Sequence, residues 1–340
     1  MSEIVTIGLD IAKSVFQVHG VDAAGQVVVT RQLKRGQMLK FFAALPPVLI
    51  GIEACGTAHH WGRQLQNLGH DVKLIPPIYV KPYVKRQKND AADAEAIAEA
   101  ASRPTMRFVA VKSVTKQAAG LTFKTRDLLV RQRTQAISAL RGHLAEYGLI
   151  APQGPAHPAR LKDALEQSGS ELPEAVIEIG MELLSHIEAL EVRINGLSAR
   201  LRAEARRDET ARRLMTIPGV GPVCAVALAA LAPPVSSFSK GRDFAARIGL
   251  VPRQNSSGGK ARLGRTSKMG QRDLRRLLII GAASVVRWQA RHGAPAGSWM
   301  ARMPATKPKM LVAVALANKI ARVAWALMRG DGVYRAPATA

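Results

Sequence analysis

An α/β domain followed by all-α segments is the fold class this sequence predicts, and three observations carry the expectation. Short β-type runs alternate with helical patterns over the first 77 residues. Leu and Ile then recur at heptad spacing from Leu183 to Leu201, and apolar stretches of helix length run through the last third of the 340-residue chain. Apolar, β-branched runs between turn formers read as strands, and recurrence at helical spacing reads as one face of a helix.

Taken in order, Ile4–Ile11 is the first strand. Ser14–Val21 and Val27–Leu33 follow, separated by Asp22–Gln26 with its glycine, so the strands join as hairpins. Met38–Leu45 is helical, Val48–Glu53 a short buried strand, Trp61–Leu68 a helix, and Asp71–Ile75 a strand halted by Pro76 and Pro77. A helix over Asp90–Ser102 completes the set. This βββαβαβ order predicts a sheet of mixed strand direction and is the order of a ribonuclease-H-like fold. Residues 114–208 read as long helices. Leu183, Ile187, Leu190, Ile194, Leu197 and Leu201 form a heptad seam, and the prolines and glycine of 151–158 break the helices. The segment predicts a helical hairpin or coiled coil, packed within the chain or pairing two chains. From Thr216, an apolar turn opens a helix, residues 252–273 read mostly as loop, and Leu274–Val286 and Met310–Met328 as further helices. The expected organisation is an α/β domain over 1–110, a helical coiled-coil connector over 111–208 and a basic, all-helical domain over 209–340.

Charge narrows the partner. The formal net charge is +24, and residues 209–340 alone carry 22 basic against 4 acidic side chains. Such a concentration reads as a footprint for a polyanion, nucleic acid before membrane. Cys55 and Cys224 are the only cysteines, which argues against a disulfide framework and fits a reducing cytoplasm. No signal peptide is visible at the N-terminus. Asn318, Lys319 and Arg322 interrupt Met310–Met328, which therefore reads as a buried helix with a basic face, and no membrane partner is expected.

Four carboxylates suggest chemistry. Asp10 lies at the end of the first strand in IGLDIAK, and Glu53 at the end of its own strand in VLIGIEACGT. Asp90 and Asp93, in KNDAADAEAIAEA, share one face of a helix that starts near Asp90. Singly, Asp90 reads as an N-cap and Glu53 as a capping or loop carboxylate. As an ordered set, two strand-end acids and an acidic helical pair read as a site for Mg²⁺, with Mn²⁺ as a substitute, because converging carboxylates repel without a cation. His59-His60-Trp61 lacks metal spacing and reads as a helix start. Tyr83 has no recognisable recombinase companions, whereas Lys85–Lys88 suits nucleic acid.

The C-terminal third adds two motifs. TIPGVGP over 216–222 resembles a helix-hairpin-helix turn, in which Gly219 and Gly221 would let backbone N–H groups hold a phosphate. Residues 249–278 hold Arg253, Lys260, Arg262, Arg265 and Lys268 as candidate phosphate ligands around Ser256-Ser257-Gly258-Gly259. A serine there is either a nucleophile activated by its surroundings or part of an ordinary flexible loop.

The series IGLDIAK, IEACGT and KNDAADAEAIA, followed by PRxxSSGGK and SKxGxxxLRR, resembles the DEDD-type transposases of insertion-sequence family one-ten, eleven-eleven subgroup. The resemblance covers nearly the whole chain. It implies a RuvC-like, Holliday-junction-resolvase-like N-domain whose acids are Asp10, Glu53, Asp90 and Asp93, and a C-terminal transposase domain with a catalytic serine. Ser257 takes that position and Ser256 is the alternative. It further implies a 5′-phosphoserine link to DNA, a composite site assembled between subunits of a dimer or tetramer, and an element-encoded guide RNA acting with donor and target DNA. A bacterial cytoplasmic, nucleoid-associated location follows from these partners. The competing readings are a metal-dependent junction nuclease that uses water, and a non-catalytic nucleic-acid-binding assembly factor.

Overall fold

Residues 3–85, 89–152, 154, 157–167, 172–294 and 298–336 are described by a computed structural model, in which the chain divides into two compact units, 1–115 and 116–340. The first unit runs β1 (Thr6–Ile11), β2 (Val15–Val21), β3 (Val27–Lys34), α1 (Met38–Ala43), β4 (Leu49–Glu53), α2 (Ala58–Asn67), β5 (Asp71–Ile75), α3 (Pro77–Val80) and α4 (Asp90–Ala101). The five strands form one sheet in the order β3-β2-β1-β4-β5. Hairpins make the β1–β2 and β2–β3 pairs antiparallel, and helical crossovers make β1–β4 and β4–β5 parallel, so the mixed direction expected from element order is present.

The two sheet faces are built differently. Ile7, Leu9 and Ile11 alternate onto one face with Phe16, Val18, Ile50 and Ile52, where Met38 and Phe42 of α1 and Trp61 and Leu65 of α2 cover them. The other face, which carries Gly8 and Gly51, is covered by α4. Added Cβ atoms would overlap the Ala94 carbonyl at Gly8 and stand 2.7 Å from Ala101 Cβ at Gly51. Two missing side chains thus let an alanine-rich helix rest almost on the strand backbone.

The second unit opens with α5 (Val114–Ala145), α6 (Pro158–Gln167) and α7 (Glu174–Arg207). Arg126 Nε donates to Ser198 Oγ at 2.7 Å, and Arg133 Nη1 to Glu191 at 3.0 Å. Moving forward along α5 moves the partner backward along α7, so the two helices form an antiparallel hairpin within the chain. The seam of α7 is Leu184, Ile187, Leu190, Ile194, Ser198, Leu201 and Ala205. Leu183 and Leu197, expected in it, are only half-buried. A polar residue, Ser198, takes the place that apolar counting gave to Leu197, because its hydroxyl is bonded to Arg126 and to the Ile194 carbonyl. Residues 153, 155 and 156 of the expected helix break lie outside the described residues.

The chain continues through α8 (Glu209–Leu214), α9 (Pro222–Leu231), α10 (Gly241–Ile248), β6 (Pro252–Gln254), β7 (Leu263–Thr266), α11 (Arg272–His292), α12 (Trp299–Thr306) and α13 (Lys309–Arg329). Its core joins Phe123 and Leu201 to Leu228, Phe244, Leu278 and Ile320. By length and composition α13 could cross a membrane, but Val312, Ala313, Ala317, Ile320, Ala321 and Ala324 are buried in this core, while Lys319 and Arg322 are exposed. Residues 252–273, expected to be mostly loop in an all-helical domain, contain the antiparallel β6–β7 hairpin. Its strands are too short and polar for apolar alternation to reveal them.

Candidate metal centre and basic hairpin

Strand register assembles the acidic site. Gly8 pairs with Gly51 and Leu9 with Ile52 across β1 and β4, so Asp10 and Glu53 come next on adjacent parallel strands, on the face that α4 covers. The contact of α4 with Gly8 brings its first turn to Asp10. Carboxylate oxygens of Asp10, Asp90 and Asp93 lie within 4.8 Å of one another. Glu53 stands outside that cluster, yet its charge still acts on Asp10. The N-cap of α4 is Asn89, whose side chain accepts from Ala91 N at 3.0 Å. Asp90 is therefore the first helical residue, and its carboxylate is not used as the cap.

The electrostatics are those of an uncompensated cluster. Burial, followed by the charges of Asp93, Asp90 and Glu53, pushes the Asp10 carboxyl up to about 6 from 3.8. Burial and then Asp93 raise Glu53 as well. Among the described residues none of the four acids forms an ion pair, and Lys85, five positions before Asp90 in sequence, is paired with Glu95 at 2.7 Å. Hard oxygen donors without a protein cation are a donor set that suits Mg²⁺.

Gly8→Ala tests the α4 contact. The added methyl collides with backbone, so overpacking is expected to destabilise the first unit by about 1–3 kcal/mol. Thermal melts followed by circular dichroism with and without Mg²⁺ should show a lower melting temperature and a smaller Mg²⁺-induced rise. An unchanged Mg²⁺ response would mean that α4 does not hold the acids in place.

The basic motif forms the hairpin. Lys260 N donates to the Ser257 carbonyl at 3.0 Å, and Gly258 and Gly259 between them have φ of 55° and 75°. Positive φ at both central residues is the two-residue hairpin geometry that glycine permits. Ser256 Oγ accepts from Arg262 N at 3.0 Å and so ties the two strands together. The Ser257 side chain is exposed, and its hydroxyl has no hydrogen-bond partner among the described residues. Arg253, Lys260, Arg262, Arg265 and Lys268 are exposed and without ion pairs among the described residues. Arg275 and Arg276, from the same basic run, have internal partners. Arg275 donates to the Ile248 and Met269 carbonyls at 2.9 and 3.0 Å, and Arg276 pairs with the buried Asp127.

The TIPGVGP turn is partly a packing device. At Gly219, where φ is 89°, a Cβ would stand 2.8 Å from the Gly281 carbonyl oxygen of α11. Gly221 is the N-cap of α9 and a Cβ there would meet nothing within 4 Å, so the open side of the turn lies at Gly221. His59 and His60 fall in the first turn of α2, with His59 Nδ1 accepting from Lys112 N at 3.2 Å. The Tyr83 ring faces Arg103 at 5.8 Å. Of the basic stretch Lys85–Lys88, residues 86–88 lie outside the described residues. Sequence reasoning missed Gly8, Gly51, Asn89 and the role of Ser256. Glycines inside two strands, with an alanine-rich helix to follow, were the available signal.

Comparison with known proteins places these features. Residues 7–149 match the DEDD-type IS110 family model described as Transposase, and residues 211–295 match the model described as Transposase IS116/IS110/IS902 family. A Pseudomonas aeruginosa protein named "Probable family 20 transposase" is 49% identical over 97% of this chain and 98% of its own length. The "Transposase for insertion sequence element IS1111A" of Coxiella burnetii is 39% identical over 98% of this chain and 92% of its own length. That of element IS1328 from Yersinia enterocolitica is 38% identical over 98% and 99%. The chain belongs to the IS116/IS110/IS902 family of insertion-sequence transposases.

Proposed function

We propose that the protein moves its own insertion sequence by cutting and rejoining DNA strands, with Asp10, Glu53, Asp90 and Asp93 holding Mg²⁺ or Mn²⁺ and Ser257 attacking the scissile phosphate. The meeting of Asp10, Asp90 and Asp93 within 4.8 Å, with no ion pair among the described residues to neutralise them, is the observation that carries this reading. Bound divalent ions would supply charge neutralisation at the attacking and leaving oxygens of a phosphodiester. The sheet order β3-β2-β1-β4-β5 supports a ribonuclease-H-like first domain over 1–110. A connector over 111–208 and a transposase domain over 209–340 complete the assignment.

Ser257 Oγ forms a bond to phosphorus, the P–O3′ bond breaks, and the 3′ oxygen leaves with a proton. The product is a 5′-phosphoserine. A 3′-hydroxyl of the exchanging strand then attacks the same phosphorus and releases the serine, so the phosphodiester count is conserved. The free hydroxyl of Ser257 favours it over Ser256, whose oxygen is engaged with Arg262 N. Arg253, Lys260, Arg262, Arg265 and Lys268 bind phosphate oxygens around the serine, and the N–H groups near Gly221 bind backbone phosphate. With a net charge of +24, the chain suits a guide RNA as well as donor and target DNA. A homo-oligomer, dimer or tetramer, acts at the nucleoid in the bacterial cytoplasm.

The test combines purified full-length protein, DNA carrying the element ends, target DNA and RNA transcribed from the element's noncoding stretch. Joined products are expected with Mg²⁺ or Mn²⁺, and none after chelation or without the RNA. Joining that survives chelation would sink the metal reading. Scission without joining or any protein–DNA adduct would favour the water-using junction nuclease.

A further inference from the structure

We propose that the C-terminal half of α11 carries a stacking platform for an unpaired nucleobase, formed by Trp288 and His292. Trp288 is 58% exposed. Its ring lies against His292 with centroids 4.7 Å apart and planes at 20°, a parallel stack. The imidazole is held in that pose by a 2.9 Å contact between His292 Nδ1 and the Trp288 carbonyl one turn back. The pair is thus already ordered, which lowers the entropy lost when a third ring joins it.

The surroundings suit a single nucleic-acid strand. Ile280, Ser284, Arg287 and Arg291 are exposed and share the outer face of α11 with Trp288, at helical spacing. Asp273, in the first turn, is the only acid in the helix. An exposed aromatic plate on the same helix face as two arginines, in a helix whose only acid is in its first turn, offers stacking and phosphate attraction together. The other tryptophans differ. Trp61 is 4% exposed, and Trp299 and Trp325 have their rings occupied by Lys319 and Arg329. Trp288 has no such cation over its ring among the described residues. The inference extends the DNA-handling reading from phosphate contacts to a base contact, and it stands or falls separately from the acidic centre and Ser257.

Because Trp288 is the exposed tryptophan, its fluorescence reports the contact directly. Full-length protein is titrated with oligo-dT, with oligo-U, with an abasic strand of equal length and with a duplex, each of about 12 nucleotides per strand. Oligo-dT or oligo-U should quench the fluorescence, and the abasic strand and the duplex should not. Trp288→Ala should weaken binding of the base-containing strand roughly tenfold and leave abasic binding unchanged, since one stacked base contributes about 1–3 kcal/mol. Trp288→Phe should restore most of the affinity and abolish the quench. Stronger quenching by oligo-dT assigns the base to a DNA strand, and by oligo-U to an RNA. The proposal is overturned if the abasic strand binds as tightly as oligo-dT, or if Trp288→Ala binds oligo-dT and oligo-U as the parent does. The face would then attract phosphate alone or serve a protein partner.

Discussion

Asp10→Asn is expected to abolish strand cleavage while making the metal-free protein more stable at pH 7.5. The two effects share one cause. Asp10 is caught between burial and three neighbouring carboxylates, which lift its pKa from 3.8 to about 6. A carboxyl whose pKa is raised by folding favours the folded state below about 3.8, and that contribution is lost as pH rises through about 6. Above pH 6 the metal-free fold therefore carries the full repulsion. A shift of this size corresponds to about 3 kcal/mol at most, and partial solvation of the cluster reduces it to roughly 1–2 kcal/mol. Asparagine keeps the shape and removes the charge, so the variant's melting temperature without metal should rise at pH 7.5 and match the parent's near pH 4. Its Mg²⁺-induced stabilisation should fall, and cleavage should drop by about 10³ or more, because the stabilisation lost from a metal site amounts to several kcal/mol. In the parent, the Mg²⁺-induced shift should shrink as pH is lowered from 7.5 to 5, since protonated Asp10 must release its proton to bind. Wild-type recombination by Asp10→Asn would show that the carboxylates are structural, and a lower metal-free stability at pH 7.5 would contradict the repulsion argument.

The acids were each visible in the sequence, but their meeting depended on a contact that leaves little trace there. Large apolar side chains alternate on β1, β4 and β5, so the face under α1 and α2 could be read from period two alone. The opposite face packs through the absence of side chains at Gly8 and Gly51, and a glycine inside a strand reads as weakness rather than as a docking surface. In α7 the apolar count put Leu197 in the seam, whereas the buried member is Ser198, a polar residue whose partner Arg126 is far away in sequence. The β6–β7 hairpin was hidden for a different reason. Its strands have no buried face, and Ser-Ser-Gly-Gly suits a mobile loop as well as a tight turn. The strand pairing, the paired positive φ values and the Ser256–Arg262 bond show the tight turn.

That hairpin sets up the second large effect. Ser257→Ala should eliminate any covalent protein–DNA product and reduce strand joining to background, whereas Ser256→Ala should keep both at reduced yield. The two hydroxyls are adjacent, but their environments differ. Ser256 accepts from Arg262 N, and losing that exposed bond should loosen the hairpin by about 0.5–1.5 kcal/mol. Ser257 has no partner to lose among the described residues, so its removal should leave the melting temperature unchanged and act on chemistry alone. An activity loss without a stability loss marks a group that contacts the DNA, and loss of the covalent adduct marks that group as the nucleophile. Denaturing gels of labelled DNA trapped with each variant separate the cases. An adduct that persists in Ser257→Ala and vanishes in Ser256→Ala would reverse the assignment. Normal cleavage by both would leave water as the attacking group and the hairpin as a phosphate clamp. The surrounding Arg253, Lys260, Arg262 and Arg265 fit either a clamp or a covalent site, so only the serine variants can tell them apart.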